Sequence, residues 1–510
     1  MRRILYVFSF LFFANTITTA QTPHPCGTAP IKTEWLKNYQ KNLQAYRTAT
    51  DTLLVVPMTI HSVGFDSGSG HFPTNRILDA FCTLNEDFEE ANIIFYMPDG
   101  INIINNSAIN NHSEYLPTGH WMNDTADPNS INTFIVSNPN GNCGYNLFWS
   151  HMMLGKNCAG ADDHTWSHEV GHHFSLPHPF FGWEGGQTVN DELPANFNAP
   201  APDLVTYDYS PFFYSFDTIA IDTAIVEKVD RSNCNEAGDG FCDTKPDYVA
   251  SRWNCNADSE SNELQTDPNG EKFRSDGTLI MSYANDRCSN RFSGEQIAAM
   301  RAFLLDRHQD FFVNPETPLQ PITDAVKYTF PIADEPAPFN SVDLQWEPVP
   351  NATNYVVQVS RLGSFPSNDV DTQTATNSLN VSTLRANTKY YWRVRAFNKF
   401  HTCSEWSATE SFTTREVTAV AKIEGLDNFK LYPSLLNAGE PLTISVNSSI
   451  NISGEIRLLD ISGKLLLSQK LTDHLGEKTY QISTSGLKKG MYLVGLETLE
   501  GKVFEKLVVQ

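Results

Sequence analysis

Past residue 20, no stretch of this 510-residue chain offers eighteen consecutive apolar residues, which excludes a membrane-spanning helix from the mature protein. Basic residues are in short supply: 36 lysines and arginines face 59 aspartates and glutamates, for a formal charge of -23. A surface of that sign repels phosphate backbones and anionic headgroups, so nucleic acid is excluded as a partner. Scattered carboxylates are instead available to calcium. None of the nine cysteines falls in the first 20 residues. Aromatic residues are not scarce, at 12%, and with 40% hydrophobic residues they exclude wholesale disorder. A chain of this length predicts two to four domains.

The N-terminus begins with Arg2 and Arg3, continues as an apolar run from Ile4 to Phe13 and ends in small polar residues at Ala20. That order is a secretory signal, residues 1–20; the competing reading is a buried N-terminal helix. Its removal takes away two arginines and no acid, moving the charge from -23 to -25. The exported chain meets an oxidising environment in which disulfides form. Cys234, Cys242, Cys255 and Cys288 cluster as two bridges with three open connectivities, and an odd total leaves a thiol over.

Between residues 53 and 312 strands and helices alternate. Leu53 to Phe65, Ile93 to Met97 and Ile131 to Val136 read as strands, and the segment carrying Ile77, Phe81, Leu84 and Phe88 has helical spacing. A last helix opens at Ser293 as N-cap. Val313 to Thr323 carries three prolines and no period, as a linker does. Short alternating strands then predict a β-sandwich. The placement of Trp346, Tyr355, Leu384, Tyr390 and Trp392 resembles a fibronectin type III module over residues 318–415. After a second linker, residues 426–510 are again β. Their YP turn, DISGK, GLKKGMYLV and terminal KLVV resemble the C-terminal sorting domain of the type IX secretion system, although Ser434 and Leu435 replace the usual asparagine and proline. That resemblance implies a bacterial cargo protein, exported across the outer membrane by the type IX machinery and then released or attached to the cell surface. The alternative is a second binding sandwich.

The densest chemistry is TWSHEVGHHFSLPHPF, residues 165–180. On a helix, His168 and His172 project from one face a turn apart and can hold one zinc ion, with Glu169 beside it to take a proton from an activated water. His178, six residues on, completes a three-nitrogen site with one open position once the chain has left the helix and bent back. Glu184 or Glu192 is the competing third ligand. His164 and His173 read as a proton shuttle or solvated residues.

HEVGHHFSLPH resembles the signature of metzincin metallopeptidases. Together with GDGFCDTKPD at residues 238–247 and LIMSYANDRC at 279–288, it looks most like the pappalysin family. The resemblance implies an α+β metzincin-like catalytic domain over residues 53–312, followed by two all-β sandwich domains. It implies a secreted zinc endopeptidase acting on proteins or peptides, in which Met281 forms the turn beneath the metal and Tyr283 stabilises the oxyanion. One departure stands out: Ser175 occupies the position where glycine would take positive φ, at a cost of about 1 kcal/mol. The competing function is a non-catalytic adhesin or binding protein on a peptidase fold.

Cys26, on a proline-rich segment, would either close the open zinc position as a cysteine switch, making residues 21–52 a propeptide, or pair in a disulfide. Asp239, Asp243 and Thr244 offer oxygen ligands that the resemblance assigns to calcium; the alternative is a turn held by its own backbone contacts. The aromatic segments FFGWEGG and YDYSPFFYSF are expected to wall the substrate cleft. Deleting Leu426 to Gln510 should abolish export, measured by fractionation of the producing cells; normal secretion without this segment would sink the sorting role.

Overall fold

The protein, a computed structural model, is described over residues 24–46, 52–148, 150–184, 197–208, 221–415, 423–461, 463–498 and 501–510. The expected signal at 1–20, Glu192, residues 185–186 of the first aromatic segment and 209–216 of the second lie outside these residues. A short strand β1 (His24–Cys26) and helix α1 (Glu34–Lys41) come first. They are followed by β2 (Leu54–Gly64), α2 (Thr74–Asp87), β3 (Ile93–Tyr96), β4 (Ile101–Asn105), α3 (Ser107–Asn110), β5 (Asn111–His112), α4 (Tyr115–Thr125), β6 (Ile131–Val136), β7 (Asn138–Pro139), β8 (Asn142–Asn146), β9 (Met152–Gly155) and α5 (Thr165–His173). Two small hairpins, β10 (Leu204–Asp208) with β11 (Ile221–Ile225) and β12 (Gln265–Thr266) with β13 (Lys272–Phe273), precede α6 (Gly294–Arg307).

The main sheet has the order β1-β8-β9-β6-β2-β3, with β4 also paired to β2. β2, β3, β4, β6 and β9 run parallel; β8 is antiparallel to β9. All eleven residues of β2 are buried, the pattern of a central strand covered on both faces. Ile77 and Phe81 of α2, Trp166 and Val170 of α5, and Ala299 and Met300 of α6 share one core with Val56 and Ile60 of β2. A full capping box, Ser293 with Gln296, starts α6 where the N-cap was expected. Beyond α5 the chain builds a second core from Phe180, Trp183, Tyr248, Trp253 and Tyr283, tied by the bridges Cys234–Cys242 and Cys255–Cys288. A third bridge, Cys143–Cys158, joins β8 to the segment before α5.

Next comes a β-sandwich of β14 (Tyr328–Phe330), β15 (Glu335–Pro338), β16 (Val342–Trp346), β17 (Asn354–Ser360), β18 (Val370–Thr374), β19 (Ser378–Val381), β20 (Lys389–Phe397) and β21 (Glu410–Arg415). Its sheets, β14-β16-β19 and β15-β21-β20-β17-β18, enclose Trp346, Tyr355, Leu384, Tyr390 and Trp392. The last unit contains β22 (Leu426–Tyr432), β23 (Leu435–Leu436), β24 (Leu442–Asp460), β25 (Leu465–Ile482), β26 (Gly490–Thr498) and β27 (Lys502–Val509), with its own apolar core. The architecture is thus a mixed α/β domain followed by two β-sheet units.

The proline-rich connector does not hold the first sandwich at a distance. Leu319 and Pro321 present their carbonyls to His401 and Asn351 of the sandwich, at 2.7 and 2.9 Å. Cys403 is bridged to Cys82 on α2, Arg395 pairs with Asp79, and the Lys399 carbonyl accepts from the Met97 amide at 3.0 Å. Val356 and Phe397 join the core of the first domain itself. The module is a docked buttress, where the sequence suggested a spacer. Removing its bridge with Cys82→Ser and Cys403→Ser together should lower stability by about 2–4 kcal/mol, read as a lower calorimetric melting temperature; unchanged melting would show that the bridge holds nothing.

Candidate metal centre

Helix α5 carries His168 and His172 on one buried face, and its termination places the third histidine. The Leu176 amide reaches back to the Gly171 carbonyl at 3.0 Å and the Ser175 amide to the His172 carbonyl at 2.8 Å, with Ser175 at φ 76°. This is a Schellman stop with serine in the left-handed position that glycine usually fills. Its hydroxyl contacts that of Thr33, just ahead of α1. The chain then turns so that His178 Nε2 lies 3.1 Å from His168 Nε2 and 3.0 Å from His172 Nε2, which are themselves 3.1 Å apart.

Those three nitrogens cannot satisfy one another. His168 Nδ1 donates to the Ile280 carbonyl and His172 Nδ1 to the Leu176 carbonyl, each at 2.8 Å. Carbonyls only accept, so both imidazoles carry their proton at Nδ1 and turn a lone pair inward at Nε2. Burial holds His168 down at about 4 and His172 well below its ordinary value, so both stay neutral. His178 Nδ1 faces Glu184 Oε1 at 3.1 Å. Two buried lone pairs and a third imidazole nitrogen converging on one point call for a cation. Zinc–nitrogen bonds of about 2.0–2.1 Å put tetrahedral ligands roughly 3.3 Å apart, close to the observed spacing. The donor set therefore fits zinc. Glu184, weighed as a competing ligand, instead orients His178, the role that outer carboxylates play around zinc sites.

Met281 lies fully buried beneath α5, where a side chain on Gly171 would strike its sulfur. Tyr283 flanks the site, its ring centroid 4.9 Å from that of His178 and its hydroxyl donating to the Cys26 carbonyl at a long 3.4 Å. Glu169 is buried; Oε2 accepts from Thr28 Oγ1 at 2.9 Å, and Oε1 has no hydrogen-bond partner. Burial pushes its pKa up to about 8. Gly144 of β8 makes room for this carboxylate, since a Cβ there would sit 2.8 Å from Oε1. Cys26 forms no disulfide; its Sγ and the three imidazole nitrogens all lie within 4.8 Å of one another. Burial first, then the Glu169 charge, push the thiol well above its ordinary pKa.

The other two histidines stand apart from the three that converge. His164 pairs with Asp87 at 2.8 Å; burial opposes its charge, but the hydrogen bond and charge of Asp87 prevail and raise its pKa. His173 faces Asn146 Oδ1 at 3.1 Å.

The expected calcium ligands are divided. Asp239 and Thr244 come together, Thr244 Oγ1 donating to Asp239 Oδ1 at 3.1 Å. Asp243 turns away: its carboxylate accepts from Ser293 Oγ and the Glu295 amide at 2.7 and 2.8 Å, capping α6. In its place the fold brings Glu227, which no spacing in the sequence pointed to. Both Glu227 carboxylate oxygens and Asp239 Oδ2 are buried without hydrogen-bond partners, an arrangement suited to a hard cation.

Two segments match described families. Residues 431–510 match the secretion system C-terminal sorting domain. The chain is exported by the type IX secretion system, to be secreted or held at the cell surface, and engages that machinery through this tail. Residues 333–415 match the Rha78A-like, N-terminal immunoglobulin domain, so the expected fibronectin-like module is an immunoglobulin-like sandwich in the coarser sense. No curated protein matches the chain. Among solved structures, the FN1–FN3 domains of chicken CNTN1 align at 12% identity over 38% of this chain and 70% of theirs, with a TM-score of 0.20. The fn3 domain of human contactin 1 aligns at 15% identity over 21% of this chain and 90% of its own, with a TM-score of 0.16. Neither family match reaches His168, His172 or His178. Among the described residues no helix is long and apolar enough to cross a membrane.

Burial raises the pKa of both Glu227 and Asp239, so without a cation each favours the fold only while protonated. That contribution is lost as pH rises from the ordinary carboxylate range through the raised values. Calcium should therefore raise the melting temperature, by more at pH 8 than at pH 5, and Glu227→Gln should reduce the gain. A calcium effect independent of both pH and Glu227 would remove the site.

Proposed function

We propose that the chain is a secreted zinc endopeptidase of the metzincin type, similar to the pappalysins, and held latent by its own N-terminal segment. The observation that carries this reading is the convergence of three imidazole Nε2 atoms beside the buried carboxylate of Glu169. Zinc held by His168, His172 and His178 supplies Lewis acidity at one open position. Glu169 accepts a proton from the attacking water as the new carbon–oxygen bond forms, then delivers it to the leaving nitrogen as the carbon–nitrogen bond breaks. Tyr283 donates to the carbonyl oxygen as negative charge develops there. The hydroxyl already addresses a peptide carbonyl, that of Cys26.

Latency follows from where the N-terminal segment lies. β1 pairs in parallel with β8, and the Gly27 amide donates to the Gly144 carbonyl at 2.8 Å. The segment thus covers the edge strand to which a substrate backbone would add. Cys26 Sγ lies within 4.8 Å of the three imidazole nitrogens, where it would close the open position of a bound zinc. Thr28 acts separately: its Oγ1 donates to Glu169 and accepts from the Asn146 amide at 2.8 Å, and its own amide approaches Cys26 Sγ at 3.2 Å. The base and the open position are blocked by different residues.

Glu169→Gln should retain zinc by metal analysis yet lose about 10²–10⁴-fold in peptidase rate; full activity would refute the assignment. Cys26→Ala alone should remain partly latent. Adding Thr28→Val should raise basal cleavage by about a further tenfold, the equivalent of one hydrogen bond to a charged group. Latency untouched by both changes would remove the blocking role.

A further inference from the structure

A cavity of about 840 Å³ opens beside the histidine site, where β8, α5 and α6 all end. Asn146, Phe148, His151, Ser175 and Phe303 line it. Side chains on a strand repeat every second residue, so Asn146 shares a face with Gly144 and lies about 7 Å further along β8 from the point where Gly144 meets Glu169. The N-terminal segment traces the path an extended chain takes between the two. It touches Glu169 through Thr28 and Ser175 through Thr33, and Thr33 and Trp35 wall the cavity. A substrate that displaces this segment inherits the cavity.

The lining selects by chemistry. Asn146 is 1% exposed, yet its Nδ2 has no hydrogen-bond partner, nor has Nδ1 of His151. Phe148 and Phe303 supply aromatic surface. Burial holds His151 and His308, also in the lining, down at about 4, so neither carries charge at neutral pH. Arg307 and Asp310 contribute opposite signs. Both are exposed, so solvent screens them and a charged side chain entering would exchange its water for a weak counter-ion.

We propose that this cavity is a specificity subsite that takes a large uncharged side chain with a hydrogen-bonding tip, tyrosine above all, two to four residues from the scissile bond. The proposal rests on the peptidase reading. A substrate strand pairing antiparallel to β8, the more stable ladder, places that residue on the amino-terminal side of the bond.

The test is a peptide library cut by the zinc-loaded chain after limited proteolysis of its N-terminal segment. Tyrosine should be favoured over alanine by about tenfold at one such position. Asn146→Leu should bring the tyrosine-to-phenylalanine ratio close to one. His151→Trp, which fills the cavity, should reduce the preference for both rings over alanine. No preference at any of these positions, or a preference that neither variant alters, overturns the proposal. Fluorescence anisotropy of labelled tyrosine and alanine peptides on processed Glu169→Gln separates the two readings. Selective binding without wild-type turnover sinks the peptidase and keeps the subsite; equal binding sinks the subsite.

Discussion

Everything at the histidine site depends on where three protons are kept. Two imidazoles give their Nδ1 protons to backbone carbonyls, of Ile280 and Leu176, and the third faces Glu184, so three Nε2 atoms meet at one place. One partner, Ile280, lies 112 residues away, while Leu176 and Glu184 lie four and six residues beyond their histidines. Ile280 belongs to the segment beneath α5, Leu176 to the Schellman stop and Glu184 to the aromatic stretch that follows. The parallel sheet and its helices supply the rigid support, and the loops after α5 supply the orientation.

The N-terminal segment completes that arrangement instead of merely covering it. A buried thiol, a hydroxyl on the base and a strand on the exposed edge of β8 occupy three separate features of the cleft. Thr33 adds a fourth contact, at Ser175, the residue whose left-handed backbone sets the position of His178. The N-terminal segment therefore reaches the histidine cluster, the buried carboxylate of Glu169 and the wall of the neighbouring cavity.

Much of the site was legible in the sequence because its parts are local. His168 and His172 are four apart on one helix, His178 is six further on, and Ser175 announced the unusual backbone it adopts. Met281 and Tyr283 were readable only by resemblance. Residues that meet through the fold alone were not legible. Glu227 joins Asp239 from outside the GDGFCDT stretch, and nothing in that stretch tells which aspartate faces inward and which caps α6. Nothing in the sequence singles out Thr28, two residues after Cys26. The elements themselves followed their patterns, β2 and α6 most closely, since a long buried run and a capping box are both local signals. The family matches add the two C-terminal units and leave the histidine domain to its own chemistry.

The bridge between Cys82 and Cys403 spans 321 residues of sequence and clamps the first sandwich to α2. It also sets where the chain divides. The sorting tail has a core of its own, but the immunoglobulin-like sandwich shares apolar contacts and a covalent bond with the domain before it. The two form one structural unit, and a boundary drawn at the prolines would cut through a continuous apolar core.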